Sequence, residues 1–247
     1  MTLRLLSYNI RHGGAGREQA LVDVVRQCTP DVVVLQEATR PEVVARMARD
    51  AGFPAWGARP GSSLGFLSRA PIASADWQRP PVSRHAFLEL VLGGGLRIFG
   101  VHLAAVHAAW TERRRTFEFR ALLASIRKRQ HGFHLLAGDF NTLAPGELLD
   151  PRRLPARLRL FVWLSGGRVR YRTIDLALAA GYTDAFRYLN GSDPGATFPS
   201  WDPHVRLDFV FVPEGFADRV RSCAVVVGPG MSAASDHLPL LAEVDDG

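Results

Sequence analysis

The stretch LLAGDFN at residues 135–141 decides the fold class of this chain. An apolar run that stops on Gly-Asp is typical of a buried strand that leaves its sheet. Asp139 and Asn141 lie two residues apart, and residues i and i+2 of an extended backbone project to the same side. We therefore expect both side chains to reach one small volume at the edge of a sheet. For the stretch taken alone, an Asx turn that merely ends a strand is the alternative interpretation.

Polar residues recur at or near the ends of the other predicted strands. Asn9, Glu37 and His102 stand at the ends of apolar runs. Asp208 lies inside such a run, and the pair Asp236-His237 comes just before the last one. Spacing of apolar residues predicts intervening helices over 18–27, 41–51, 111–130 and 173–180. In layered α/β folds, ligand sites gather where strand ends meet. Carboxylates, amides and imidazoles in such a place suit metal-assisted attack of water on phosphorus.

Composition indicates a soluble globular protein. The 247 residues are 47% hydrophobic and 22% charged, and no apolar run approaches the length needed to span a membrane. Cys28 and Cys223 are too few for a disulfide framework or a cysteine-built zinc site. The N-terminal residues predict a strand rather than a signal peptide. We expect one catalytic domain over 1–247, a cytoplasmic location and no obligate protein partner.

The charge of the chain favours an anionic substrate. Its formal net charge is +6, its pI is about 10.1, and Lys128 is the only lysine. Arginine keeps its charge at any working pH and holds phosphate with a bidentate fork. A phosphodiester substrate, with nucleic acid the foremost candidate, fits this balance. A skewed genomic base composition would explain the arginine excess equally well.

Seven short motifs follow one another along almost the whole chain. They are Ser7–Asn9, Leu35–Glu37, Leu67–Ile72, Val101–Leu103, Gly138–Asn141, Arg206–Phe211 and Ser235–Pro239. In this order the chain resembles the endonuclease/exonuclease/phosphatase superfamily, also called DNase I-like. The resemblance implies an α/β fold, namely a four-layer α/β sandwich with two mixed β-sheets packed face to face and helices outside. It also implies a metal-dependent phosphoesterase.

The resemblance further implies a metal site and substrate contacts. Glu37 would be the principal Mg²⁺ ligand, with Asn9 beside it and Asp236 near the metal; Mn²⁺ is a possible substitute. One or two carboxylates, with waters and substrate oxygens, satisfy the coordination that Mg²⁺ prefers. Arg11 and Arg69, which lie in or beside the motifs, are candidate substrate-binding residues.

The resemblance also assigns the catalytic roles. Asp139 would orient or deprotonate the attacking water, and Asn141 would hold a phosphate oxygen. His237 would be cationic and stabilise charge on the phosphoryl group, with Asp208 fixing its tautomer. His102 would be a second phosphate contact or the acid for the leaving oxygen. An Asp–His pair raises the imidazole pKa, which agrees with these roles.

Several alternatives stay open. Within the fold, a sphingomyelinase-like enzyme acting on phospholipid or small phosphoesters competes with a nuclease, and a catalytically idle binding protein is a more distant possibility. Residues 61–65, GSSLG, match the Gly-x-Ser-x-Gly pattern of serine hydrolases, but prolines precede them and a predicted strand follows, where that motif needs a helix. The arginine-rich segment 152–164 is a candidate lid over the site or, equally, a basic-faced core helix.

Overall fold

A computed structural model describes residues 2–80, 86–105, 109–147, 150–153, 159 and 171–246. The strands are β1 Thr2–Asn9, β2 Val32–Gln36, β3 Ala55–Ala58, β4 Leu64–Ser68, β5 Ile72–Gln78, β6 Phe87–Leu92, β7 Arg97–His102, β8 His134–Asp139, β9 Tyr182–Asp184, β10 Asp208–Pro213, β11 Val220–Val225 and β12 Leu240–Asp245. The helices are α1 Glu18–Cys28, α2 Pro41–Ala51, α3 Ala109–Arg129, α4 Arg172–Ala179, α5 Ala185–Asn190 and α6 Met231–Ala234.

The strands form two mixed sheets of six. Sheet one has the order β11-β12-β1-β2-β4-β3, and sheet two has the order β5-β6-β7-β8-β10-β9. The pairs β1–β2 and β7–β8 are parallel, and the other pairs are antiparallel. A helix connects the strands of each parallel pair, α1 in sheet one and α3 in sheet two, as a parallel crossover requires.

Three apolar clusters divide the molecule into four layers. The central cluster joins the inner faces of the two sheets, with Leu5 and Val34 from sheet one and Leu90 and Leu135 from sheet two. A second cluster packs α1 and α2 on the outside of sheet one. A third packs α3 and α4 on the outside of sheet two. The predicted four-layer sandwich with helices outside is confirmed.

Local signals explain the elements that were predicted closely. Helix α2 begins with Pro41 in its first turn and ends at Gly52, which adopts φ 74° and donates its backbone N–H to Ala48 and Arg49. Strand β4 is fully buried, as its nearly continuous apolar run indicates. Since β4 follows residues 61–63 directly, the GSSLG stretch lacks the helix that a nucleophile elbow needs.

The strands that sequence reasoning missed lie at sheet edges. The Pro, Gly and Ser residues within 53–63 indicate a loop, yet β3 lies in this segment, and the sequence shows no clear signal for β5 or β9. All three are edge strands. An edge strand buries little of its surface, as the pattern of β3 shows, so it lacks the continuous apolar run that reveals a central strand.

The candidate lid falls almost wholly outside the described residues, since 154–158 and 160–170 are not among them. The described Arg152 and Arg153 form ion pairs with Asp150 and Asp202. Within the described ranges, no helix combines the length and apolar character that a membrane span requires.

Candidate active site

Strand β8 ends in a tight turn that brings Asp139 and Asn141 together. The Asn141 backbone N–H donates to Asp139 Oδ1 at 2.8 Å, and Asn141 adopts φ 52°. The Asn141 amide also donates to Asp139 Oδ2 at 3.1 Å and to the Leu103 carbonyl at 3.0 Å. The two side chains do converge, but through an Asx turn rather than through an extended backbone. Both interpretations of the sequence therefore apply to this stretch.

A glycine is required just before this turn. At Gly138, φ is 155°, and an added Cβ would lie 1.8 Å from the Val101 carbonyl oxygen of the neighbouring strand. Only glycine permits so close an approach of two backbones. That approach sets Asp139 opposite His102 in the parallel β7–β8 ladder, while Asp208 pairs with Asp139 from the other side.

Sheet one delivers Asn9 and Glu37 to the same place. Asn9 ends β1 opposite the last residue of β2, and Glu37 follows β2 directly. The Asn9 amide donates to Asp139 Oδ2 at 3.0 Å and to Glu37 Oε1 at 3.3 Å. This bond between Asn9 and Asp139 joins the two sheets. The cluster therefore lies at the seam of the sandwich, where strand ends of both sheets meet.

Glu37 is held as a carboxylate. Burial alone would raise its pKa, but a hydrogen bond from the His12 backbone N–H, the charge of His102 and the bond from Asn9 lower the pKa below its ordinary value. Its side chain keeps 28% of its surface exposed, so one side of the carboxylate remains open to solvent. An ionised, partly open carboxylate is a ligand that a hard divalent cation accepts, whereas the Asn9 amide presents its N–H groups to Glu37 and Asp139 and its oxygen to the Arg11 backbone N–H.

His237 and Asp208 form a buried pair. His237 Nδ1 lies 2.8 Å from Asp208 Oδ2, and the two residues are 5% and 1% exposed. Burial would lower the pKa of His237, but the charge and hydrogen bond of Asp208, with the charges of Asp139 and Asp236, raise it to about 10. The ring is therefore cationic at neutral pH, as its predicted role requires.

Two imidazoles face one oxygen of Asp139. His237 Nε2 lies 3.9 Å and His102 Nε2 lies 4.0 Å from Asp139 Oδ2. The pKa of Asp139 is raised to about 7, chiefly by burial and also by the charge of Asp208. The charge of His237 and the hydrogen bonds from Asn141 and Asn9 oppose this rise. A carboxyl group with a pKa near neutrality is suited to take a proton at physiological pH.

Two positions in the cluster have the chemistry of a cation site. Asp139, Asp208 and His237 each offer a ligand atom, and these atoms lie within 4.8 Å of one another. A cation bound by these three residues would displace the proton that Asp208 and His237 share. Glu37 is already ionised and partly open, so its carboxylate suits a hard cation better.

Of the remaining predicted residues, Arg11 and Asp236 lie near Asn9 and His237, and Arg69 lies far from them. Arg11 follows Asn9 closely, and its Nε lies 3.4 Å from Asp236 Oδ2, while Asp236 Oδ1 is buried without a hydrogen bond among the described residues. Arg69 is not brought to the cluster. Its guanidinium donates to the carbonyls of Pro30, Ala51 and Gly52 at the opposite end of sheet one. We therefore withdraw Arg69 as a substrate contact, because its donors already serve the backbone.

Sequence reasoning missed three residues that support the cluster. Ser235, inside a motif that was recognised, donates its hydroxyl to the Asn9 carbonyl at 2.6 Å and ties the loop of His237 to β1. Glu112 and Arg115 form a fully buried ion pair on α3. Glu112 also accepts from Thr142 Oγ1, directly after Asn141, at 3.2 Å. The run of arginines around Arg115 hid this pair, because a basic stretch of helix normally faces solvent.

Comparison with known proteins gives a family and a fold. The model of the Endonuclease/Exonuclease/phosphatase family matches residues 6–237. No curated protein matches the sequence significantly.

Solved structures resemble the chain over nearly its whole length. A 3′ phosphatase, NExo, from Neisseria bound to product DNA hairpin is 19% identical, with a TM-score of 0.73 over 98% of this chain and 99% of that one. An AP endonuclease from Archaeoglobus fulgidus is 16% identical, with a TM-score of 0.74 over 98% and 99%. An endonuclease/exonuclease/phosphatase from Beutenbergia cavernae is 21% identical, with a TM-score of 0.73 over 98% and 71%. At these identities the likeness establishes the fold alone.

Proposed function

We propose that this chain, which belongs to the Endonuclease/Exonuclease/phosphatase family and hydrolyses phosphate esters, cleaves the phosphodiester bonds of nucleic acid. The basic charge of the chain supports this substrate class. So does the related fold of the Neisseria 3′ phosphatase, which was bound to product DNA hairpin. We also propose one catalytic domain, in keeping with the span of the family match, and a reducing location such as the cytoplasm, in keeping with two free, buried cysteines.

The observation that carries the mechanism is the arrangement around Asp139 Oδ2. The distances of 3.9 and 4.0 Å to His237 and His102 are too long for hydrogen bonds, but they let an oxygen atom in the space beside each pair form a hydrogen bond to both of its members. We assign that space to an oxygen of the reacting phosphate or to the attacking water. A cationic ring and a carboxylate of near-neutral pKa would thus face the same reacting atoms.

Asp139 orients the water and accepts its proton as it attacks phosphorus in line with the leaving oxygen. Its Oδ1 accepts from the Asn141 backbone, and its Oδ2, which accepts from the Asn9 and Asn141 amides, is the oxygen that lies near both imidazoles. His237 stabilises the charge that grows on the phosphoryl oxygens, and Asp208 keeps its ring protonated and oriented. His102 contacts a second phosphate oxygen or protonates the leaving oxygen.

Asn141 has a positioning role in this arrangement. Both hydrogens of its amide are used by Asp139 and the Leu103 carbonyl, so it holds the carboxylate against β7. The phosphate contact predicted for it stays a prediction, as do the substrate contact of Arg11 and the place of Asp236 near the metal.

Family members depend on a divalent metal ion, and we propose Mg²⁺, with Mn²⁺ as a substitute, held by Glu37 and Asn9. When bound, the ion supplies positive charge that neutralises the phosphate and the leaving oxygen. Glu37 contributes the anionic ligand, and the bonds from Asn9 and the His12 backbone keep it oriented.

A substrate screen tests the proposal. Plasmid, single-stranded DNA, RNA, bis(p-nitrophenyl) phosphate and sphingomyelin are each incubated with Mg²⁺ or Mn²⁺, and again with EDTA. We expect EDTA-sensitive cleavage of a nucleic acid, abolished by Asp139→Asn. Preferred cleavage of sphingomyelin would replace nucleic acid as the substrate, and the absence of EDTA-sensitive hydrolysis of every substrate would refute the mechanism.

A further inference from the structure

A groove of about 470 Å³ separates α3 from α4 on the outer face of sheet two. Arg113, Phe117 and Arg120 line it from α3, and Arg172 and Leu176 line it from α4. The α3 residues share one side of the helix because they are spaced by three, four and seven positions. None of these residues belongs to the cluster around Asp139.

The arginines of the groove are available to a ligand. No described residue forms an ion pair with Arg113, Arg120 or Arg172, and all three are exposed. By contrast, Arg114 and Arg115, on the same turns of α3, are paired with Glu118 and Glu112. Asp175 is the one carboxylate of the lining, so three positive charges face one negative charge. The groove therefore keeps an excess of positive charge that the described residues leave unneutralised.

An exposed aromatic ring lies between these charges. Phe117 leaves 51% of its surface exposed, although it belongs to a helix whose neighbouring Phe119 is fully buried. Exposing a phenylalanine costs free energy unless something covers it. Cationic side chains along a groove with an aromatic ring between them are the equipment that holds single-stranded nucleic acid, since the cations follow the backbone and the ring stacks on a base.

One end of the groove, formed by the first turns of α3 and α4, lies near the chain that follows β8. Thr142 directly follows Asn141, and its hydroxyl donates to Glu112 Oε2 at 3.2 Å. The backbone N–H of Thr173 donates to Glu112 Oε1 at 2.9 Å. Arg113 follows Glu112, and Arg172 precedes Thr173. Arg113 thus adjoins a residue that contacts Thr142, three positions after the end of β8, and Arg172 adjoins a residue one contact further away.

We propose that the groove between α3 and α4 binds a single strand of nucleic acid that continues from the phosphate held at Asp139. The proposal rests on the proposed nuclease function and adds the path of the strand to it. Arg113, Arg120 and Arg172 contact successive backbone phosphates, and Phe117 stacks on a base. The protein accordingly acts best on a substrate with a single-stranded segment long enough to reach Arg120.

The test compares two double variants of α3 in the full chain with Mg²⁺. Arg113→Gln/Arg120→Gln removes two charges inside the groove. Arg127→Gln/Lys128→Gln removes two charges from the last turn of the same helix, outside the groove. Glutamine and arginine have similar helix propensities, so both variants should fold. Turnover is measured on a labelled single-stranded oligonucleotide and on bis(p-nitrophenyl) phosphate, which is too small to reach the groove.

We expect the groove variant to lose at least about tenfold in kcat/KM for the oligonucleotide, chiefly through KM, and to hydrolyse bis(p-nitrophenyl) phosphate as the wild type does. The dependence of log(kcat/KM) on log[salt] should become flatter by about 1.4, since two phosphate contacts of about 0.7 each are lost. Phe117→Leu should raise the KM for the oligonucleotide by on the order of tenfold, because the stacking of the ring on a base is lost. The control double variant should change each quantity much less.

Three outcomes would overturn the proposal. Equal losses in the groove and control variants would show a general attraction by net charge. Unchanged oligonucleotide kinetics in the groove variant would show that the strand takes another path, while leaving the nuclease function intact. A wild type that hydrolyses bis(p-nitrophenyl) phosphate but no nucleic acid would refute the proposed substrate and the groove together.

Discussion

Asp208→Asn tests the buried pair on which the mechanism depends. The asparagine side chain has nearly the same shape and its oxygen can still accept from His237 Nδ1, which lies 2.8 Å from Asp208 Oδ2. The change therefore keeps the orientation of the ring and removes only the negative charge. Any loss of activity then measures electrostatics rather than geometry.

The expected magnitude follows from the distance between the charges. Two unit charges about 4 Å apart interact by about 4 kcal/mol at an effective dielectric constant of about 20. That energy corresponds to about three pKa units. With Asp208 present, the pKa of His237 is raised to about 10. Removing the Asp208 charge should therefore lower the pKa of the His237 ring to about 7. Losing one preorganised group of this kind costs about 10²–10³ in kcat.

The assay is the pH profile of kcat on bis(p-nitrophenyl) phosphate with saturating Mg²⁺. We expect the variant to lose about 10²–10³-fold at pH about 8, where its His237 becomes neutral, and less at pH about 6, where the ring regains its proton. The wild type should show no such loss between these values.

A matched control separates charge from folding. Asp184→Asn also removes a buried carboxylate of sheet two, one that pairs with Arg206 and caps α5. Asp184 pairs with Phe211, which lies three residues along β10 from Asp208. We therefore expect Asp184→Asn to lower stability and to leave kcat unchanged. If Asp208→Asn kept kcat within about threefold at every pH, or if the control lost as much, the role of the pair would be refuted.

Three further predictions concern metal, stability and acid. Glu37→Gln should raise the Mg²⁺ concentration for half-maximal activity by more than about 100-fold, since even outer-shell changes cost about 10–100-fold; a Mn²⁺ titration by calorimetry checks it. Arg115→Met should lower the free energy of unfolding by about 3–5 kcal/mol in urea titrations, because it leaves Glu112 buried without its partner. Burial lowers the pKa of His134, with a smaller opposing effect from the Gly132 carbonyl, so the unfolded state binds the proton first. Stability should therefore fall as pH drops below about 6.5, and thermal melts of His134→Gln should show a smaller fall.

The sequence predicted the central elements of the fold because burial leaves a clear pattern. The strands around residues 135–141 and 64–68 are buried on both faces, and their short, nearly continuous apolar runs between turn residues are enough to predict them. Strands β3, β5 and β9 lie at edges, where one neighbour and partial exposure relax the choice of residue.

The site was predictable as a set of residues and not as a set of contacts. Polar residues at strand ends and the order of the motifs identified Asp139, Asp208 and His237, which the structure brings together. Arg69 belonged to an equally clear motif, yet the antiparallel pairing of β2 and β4 carries it to the far end of the sheet. Sequence order does not reveal the direction of a strand, and direction decides which end of the sheet a residue reaches.

The position of the cluster at the seam couples its chemistry to the packing of the sheets. Asn9 ends a strand of one sheet and Asp139 a strand of the other, and the bond between them lies in a region with almost no solvent exposure. A buried carboxylate with a pKa near 7 is costly to ionise, so its charge depends on donors held at fixed distance. Because those donors come from both sheets, a small shift of one sheet against the other would alter the proton affinity of Asp139. The interior between the sheets, filled by close-packed aliphatic side chains, therefore affects the proton affinity of Asp139 as well as the stability of the fold.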